Sequence, residues 1–226
     1  RRENDWSHFD LGDSLAGDFE RAELVWESEV VRDSTVTSVD VELDRVDVVW
    51  LEVGDAGDGN TCDWANWLDL SFECEGGAVQ ATAATWIQAD SGWGTVRKNE
   101  DCTGGALDVA GEVWPRGIGT HAPSLIAIQV PPGATRLAGR CAADDDGTSQ
   151  GASTSIQFSI HVERRRDREA IAEREAAAIG GDLQAAIALA AETEGALFLL
   201  GKVKDNTLPE VVRQAVALKL SQHPDL

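Results

Sequence analysis

The sequence predicts a mainly β protein, an antiparallel β-sandwich followed by a small C-terminal helical segment. Three observations carry this. Short runs of β-branched and aromatic residues alternate with polar ones between residues 36 and 162, and Gly, Asp and Pro punctuate them. The composition then turns abruptly to Arg, Glu and Ala, which are good helix formers. The four cysteines, finally, all lie on the strand-rich side of that change.

Residues 1–35 are mixed and acidic, with Trp6, Phe9, Leu11 and Trp26 as scattered anchors, and are expected to pack on the sandwich as an extension. Val36, Val39, Val41 and Leu43 open the period-two pattern. A second run, 48–53, leads into a glycine loop, Gly54-Asp55-Ala56-Gly57-Asp58-Gly59-Asn60. Further strands are expected over 68–74, 83–88, 107–109, 125–130, 136–141 and 155–162, with Pro131-Pro132 closing the clearest of them. Asp63-Trp64-Ala65-Asn66-Trp67 and Gly117-Ile118-Gly119-Thr120-His121-Ala122-Pro123-Ser124 read as shaped loops between strands. In the tail, residues 163–179 form a first helix and Gly180-Gly181 breaks it. Asp182 caps a second helix carrying Leu183, Ala186, Ile187 and Ala190. Residues 196–200 make a short apolar helix, and Thr207-Leu208-Pro209-Glu210 reads as a capping box opening a last one. Its apolar stripe is Val211, Ala215 and Leu218, flanked by Val212 and Val216. Residues 163–226 are thus a thin, HEAT-like helical hairpin that needs a neighbour to lean on.

Charge narrows the partners. Asp and Glu number 40 against 19 Lys and Arg, a net charge of -21, which repels nucleic acid and anionic membrane surfaces. No apolar run approaches the roughly 20 residues of a membrane span. Cys62, Cys74, Cys102 and Cys141 form no C-x-x-C pair, which argues against a thiolate metal site, and without C-x-x-C-H the chain holds no covalent haem. Two disulfides in an exported sandwich fit better. Of the three possible pairings, Cys62–Cys102 with Cys74–Cys141 is expected, because the first two sit in Gly/Asp-rich loops.

The residues that could carry chemistry are aromatic and acidic. Eight tryptophans accompany no tyrosine. Trp50 and Trp86 lie in strand patterns and belong to the core, whereas Trp64, Trp67 and Trp93 stand beside Asp, Asn or Gly, where an indole can stack on the C–H face of a sugar or, for Trp64 and Trp67 equally, plug an end of the sandwich core. His121, next to Thr120, offers an imidazole to a sugar hydroxyl or to a backbone carbonyl. Asp55, Asp58, Asn60 and Asp63 crowd hard oxygen donors into one turn, suited to Ca²⁺ or equally to Asx turns, without EF-hand spacing. Asp144-Asp145-Asp146-Gly147 invites the same two readings, the turn ahead of the metal. Ser124 has no nucleophile-elbow context, and no two acids stand out as a hydrolytic pair, so no catalytic role is expected.

Residues 53–67, the Ser91-Gly92-Trp93-Gly94 run, 117–124, 136–147 and 155–162 together resemble the NPCBM family of bacterial carbohydrate-binding modules, over residues 36–162. The resemblance implies a galactose-binding-like jelly roll, secreted, periplasmic or on the cell surface. It also implies binding of galactose-containing glycans and a structural calcium. The glycine loop with its Asp-Trp run precedes the Gly-Ile-Gly-Thr-His run, whereas many members have the reverse order. That permuted order resembles modules embedded in large exported c-type cytochrome or dehydrogenase-like bacterial proteins. The expectation is a non-catalytic module gripping a galactose-type glycan through Trp64, Trp67, Trp93, Asp63, Thr120 and His121. The alternative is a structural or adaptor subunit that docks other proteins through its helical tail and binds no sugar.

Overall fold

The computed structural model describes residue 19 and residues 22–151, 153–164, 168–190, 193–204 and 207–221. The expected anchors Trp6, Phe9 and Leu11 lie outside them. The chain divides into two compact units, residues 1–165 and 166–226.

The first unit is built on two antiparallel sheets. Its strands are β1 (Glu23–Glu27), β2 (Thr37–Glu42), β3 (Val46–Gly54), β4 (Trp64–Cys74), β5 (Gly77–Gln80), β6 (Trp86–Ser91), β7 (Arg97–Lys98), β8 (Leu107–Val109), β9 (Glu112–Trp114), β10 (Gly117–His121), β11 (Ser124–Gln129), β12 (Ala134–Ala143) and β13 (Gln157–Arg164), with a short helix α1 (Asp145–Thr148) before the last. One sheet runs β1-β13-β3-β11-β6, and the other runs β2-β12-β4-β10-β7 with β5 also on β4. β8 and β9 form a separate hairpin. The predicted sandwich is therefore present. The N-terminal region contributes more than a covering layer, since Glu23–Glu27 is the edge strand paired with β13.

Period two explains the core. Val49, Leu51 and Val53 of β3 and Ile126 and Ile128 of β11 meet Ala65, Trp67, Leu70 and Phe72 of β4 between the sheets. The alternate residues Val48 and Trp50, with Leu125 and Ala127, form a second apolar layer on the outer side, closed by Phe19. Along β4 the inward set changes parity between Trp67 and Leu70. Asp69 takes a positive φ of 47°, and the pairing with β12 steps from Leu68↔Arg140 to Ser71↔Ala138. Two β4 residues thus face Gly139, which is a β-bulge. A Cβ on Gly139 would lie 2.7 Å from Leu70 Cα, so only glycine fits there.

Two of the runs read as loops are strands. Gly117–His121 is buried along its whole length between β4 and β7, and Trp64 opens β4 itself. Glycine spacing resembled loop chemistry, but at Gly117 and Gly119 it serves close packing. A Cβ on Gly119 would lie 2.3 Å from Glu100 O.

Among the described residues the second unit holds four helices, α2 (Arg168–Ile179), α3 (Leu183–Leu189), α4 (Thr193–Lys204) and α5 (Glu210–Leu220). Ala178, Ala186, Leu189, Ala196, Leu199 and Val212 contribute to its small core. Asp182 caps α3 as expected, its Oδ1 accepting from Gln184 N at 2.9 Å and Ala185 N at 3.1 Å. The expected capping box does not form: Pro209 occupies the N-cap, and Thr207 Oγ1 instead donates to Lys202 O at 3.2 Å. The stripe of α5 is also the other one. Val212 and Val216 are buried, whereas Val211 is 70% and Leu218 64% exposed. No helix among the described residues is long and apolar enough to cross a membrane.

Candidate functional site

At one end of the second sheet, Trp64 of β4 and His121 of β10 are direct cross-strand partners. Ala65 of β4 and Ile118 of β10 face the core, so alternation turns Trp64 and His121 to the outer side. Trp93, from the loop after β6, lies over both. Its ring centroid is 5.7 Å from that of Trp64 and 5.2 Å from that of His121. Trp93 is 50% exposed, whereas Trp64 and His121 are 9% and 4% exposed. One indole face is therefore offered to solvent and two buried rings support it from behind. Gly147 of α1 closes the support, since a Cβ there would lie 2.9 Å from Trp64 Cβ.

The Trp93 loop is pinned from several sides. Ser91 Oγ lies 2.6 Å from Trp93 O and 3.0 Å from His121 O, donating its single hydrogen to one of them, and it accepts from His121 N at 3.2 Å. Gly92 N donates to Pro123 O at 2.7 Å, across from the cis Ala122–Pro123 peptide. Gly94 has φ +66°, and a Cβ there would meet Cys102 O at 2.7 Å, so the glycine after Trp93 is required twice over. Such pinning lowers the entropy lost when a ligand settles on the ring.

His121 Nδ1 is 2.6 Å from Ala122 O. A carbonyl only accepts, so Nδ1 carries the hydrogen and Nε2 is left as an acceptor. Burial holds the imidazole's pKa below its ordinary value, against the opposing pull of that carbonyl. The ring is neutral at pH 7.

Two buried carboxyls brace the platform. Asp63 Oδ1 accepts from Ser155 N at 2.9 Å, and Asp63 O accepts from Ala122 N at 3.0 Å, tying the glycine loop to the residue after His121. Asp63 Oδ2 is buried without a partner, and burial, reinforced by Asp58 and Asp55, pushes the pKa up to about 6. Asp144 accepts from Asn66 Nδ2 at 2.6 Å and from Asp146 N at 2.9 Å, capping α1, while its own N–H donates to Trp64 O at 3.0 Å. Its carboxyl, too, is pushed up to about 6 by burial. The Asp144–Asp146 run is thus a structural turn and cap, as its sequence suggested. Ser91 and Asp144, which organise the platform, were not expected to; the Ser-Gly-Trp-Gly run was the only local signal for Ser91.

The structure separates the other expected site residues from this platform. Trp67 is wholly buried, at 5.0 Å from Phe158 and 6.4 Å from Trp26 between ring centroids, and has no face to offer. It stands three residues beyond Trp64, and an odd spacing in a strand reverses the side. Thr120 is buried on the opposite side from His121, donating to Ser124 Oγ at 2.6 Å. Asp63 acts from beneath the rings rather than at the surface.

The expected calcium donors fit a metal poorly. Asp55 Oδ1 accepts from Gly57 N at 2.9 Å in an Asx turn, and Asp58 accepts from Ser155 Oγ and faces Arg32 at 3.8 Å. Asn60 O accepts from Asp63 N at 3.4 Å. Among the described residues, no three His, Cys, Asp or Glu side chains converge on a metal position. The disulfide expectation also fails, for all four cysteines are free thiols. Cys141 pairs across from Trp67 and Cys74 from Ala134 on the same two strands. That is seven positions along β4, about 23 Å, where a bridge needs roughly 7 Å or less. Cys62 Sγ instead lies 3.5 Å from Gln150 Oε1, and Cys102 is buried with its thiol pushed up to about 12 by desolvation.

Alpha-1,3-galactosidase B of Akkermansia muciniphila is 32% identical over 85 residues, 37% of this chain and 10% of that protein. The chain thus spans about a tenth of that relative's length. No solved structure matches it. The profile of the NPCBM/NEW2 domain matches residues 15–73 and 77–198, which is most of the chain. The chain belongs to the NPCBM/NEW2 domain family.

Proposed function

We propose that this chain is a non-catalytic carbohydrate-binding module that holds a galactose-type glycan on the outer face of Trp93. The half-exposed indole, fixed against Trp64 and His121 by the Ser91 and Gly94 contacts, is the observation that carries the reading. Sugar C–H groups pack on that face, and His121 Nε2 is available to accept from a hydroxyl at its edge. Membership of a carbohydrate-binding family and similarity to a protein named as a galactosidase support the reading. Nothing at the platform pairs a nucleophile with a base, and the buried acids brace backbone rather than face a ligand. Such a module acts within an exported protein, delivering neighbouring domains to glycans. The permuted, cytochrome-associated setting suggested by motif order belongs to this proposal.

A glycan-array screen of the purified chain, with calcium and with chelator, tests it. Galactose-terminated glycans are expected to bind, and Trp93→Ala to abolish binding. Silence across the array in both conditions would overturn the assignment. One observation favours the adaptor reading: Val211 and Leu218 leave an apolar stripe of α5 exposed, as a helix that docks on another protein does. Pull-down that depends on Val211 and Leu218, without glycan binding, would support that alternative.

A further inference from the structure

Arg140 of β12 differs from five other arginines of the sandwich. Arg32, Arg97, Arg116, Arg136 and Arg164 each face an aspartate or glutamate. Among the described residues no carboxylate pairs with Arg140, in a chain with 40 acidic and 19 basic residues. Its guanidinium lies over the ring of Trp114, 5.5 Å from the centroid, and the residue is exposed.

The surroundings hold that guanidinium in place. Trp114 packs against Leu68, Leu107, Val109 and Ala142, and the tip of its hairpin is clamped by Asp145, which accepts from Ala110 N at 3.1 Å and Gly111 N at 2.7 Å. Leu68 is opposite Arg140 on one side and opposite Gly117 on the other, so Arg116 enters from across β4. The bulge at Asp69 turns that carboxylate toward Arg116, whose Nε donates to Asp69 Oδ1 at 2.9 Å. Arg140 of β12 and Arg116, just before β10, therefore lie on the chains either side of β4, and Asp69 holds the second of them. A stacked guanidinium loses little freedom on pairing with a planar or tetrahedral anion.

We propose that Arg140, assisted by Arg116, forms an anion-accepting subsite for one carboxylate or sulfate substituent of an acidic glycan. The chain's charge of -21 repels polyanions. Screening limits that repulsion to about 8 Å at physiological salt, so a single acidic group can be captured locally where a polyanion would be refused. Trp64 and Leu68 lie four positions apart on β4, about 13 Å, which separates the subsite from the Trp93 platform by a few sugar units. The inference rests on the proposed sugar reading for the rest of the ligand, but not for the anion itself.

The test follows tryptophan indole N–H resonances by NMR. The wild-type chain is titrated with inorganic sulfate, a neutral galactose-terminated tetrasaccharide, and its sulfated and sialylated forms. The acidic forms are expected to bind about three- to tenfold more tightly than the neutral one and to shift the Trp114 signal. Arg140→Gln, at unchanged melting temperature, should erase that advantage and leave affinity for the neutral sugar as it was, while Arg140→Lys restores part of it. The sulfated and sialylated arms show which acid fits. Should no tetrasaccharide bind while sulfate still shifts Trp114 in an Arg140-dependent way, the platform reading fails and the anion subsite stands. Equal affinity for neutral and acidic forms, or a Trp114 signal that neither sulfate nor an acidic sugar moves, overturns the subsite.

Discussion

Asp63→Asn isolates the energetic cost of bracing the platform with a buried acid. Asp63 is wholly buried, its Oδ2 has no partner, and its pKa rises from an ordinary 3.8 to about 6, chiefly through burial. The folded form holds the proton more tightly than the unfolded chain. The stabilisation is therefore fully present below about pH 4 and is lost as pH rises through about 6. A shift of about two units corresponds to about 3 kcal/mol of folding free energy at pH 7.5 relative to pH 4. Asparagine keeps the acceptor for Ser155 N and removes the charge, but places an N–H₂ group where Oδ2 had no partner, at a cost of about 1–2 kcal/mol. The variant is expected to be about 1–2 kcal/mol more stable than wild type at pH 7.5. At pH 4.5 it should be equal or slightly less stable. Urea unfolding at half-unit steps between these pH values, comparing the two proteins, cancels the contributions of other acids. A difference between them that does not change with pH would refute the reasoning. The series repeated in calcium tests the metal: a cation held by Asp63 with Asp55 and Asp58 would lower the carboxyl's pKa and remove the wild-type slope.

Three further outcomes are expected. Trp67→Ala should cost about 3–5 kcal/mol in chemical unfolding because the ring is wholly buried, whereas Trp93→Ala should cost under about 1 kcal/mol and act on glycan binding instead. Thiol titration in denaturant should count all four cysteines without prior reduction, and reducing agent should leave the melting temperature of the native chain unchanged. Asp182→Ala should lower the stability of the helical unit by about 1 kcal/mol, since two backbone N–H groups lose their acceptor, as read by helical circular dichroism against urea.

The sandwich was legible because alternation is local. Val48 to Val53, or Leu125 to Gln129, announces a strand without reference to anything distant, and the switch to Arg, Glu and Ala after His161 likewise marks the helical unit. The errors arose where glycine has a second use. Gly117 and Gly119 were read as conformational freedom, yet they admit neighbouring chain, a demand visible only once Trp67, Glu100 and Asp101 are placed beside them. The helix stripe failed for a related reason: Val211 and Val212 are equivalent in pattern, and packing against the other helices selects the second.

β4 shows most directly why the site was only half readable. Trp64 and Trp67 have the same composition around them, and as loop residues they would be interchangeable ligands. Once both belong to one strand, their spacing of three forces them to opposite sides, so one supports Trp93 while the other packs on Phe158. Two residues further on, the bulge at Asp69 reverses the parity again, which returns Leu70 and Phe72 to the core and turns the Asp69 carboxylate out to Arg116. A single strand thereby supplies the sandwich interior, the backing of the indole platform and the anchor of an arginine patch. Asp69 is the extra residue of that bulge, so deleting it restores plain alternation with Leu70 and Phe72 still inward; the deletion is expected to fold and to lose the Asp69 carboxylate that holds Arg116. A deletion variant that fails to fold would show that Asp69 is not the supernumerary residue of this strand.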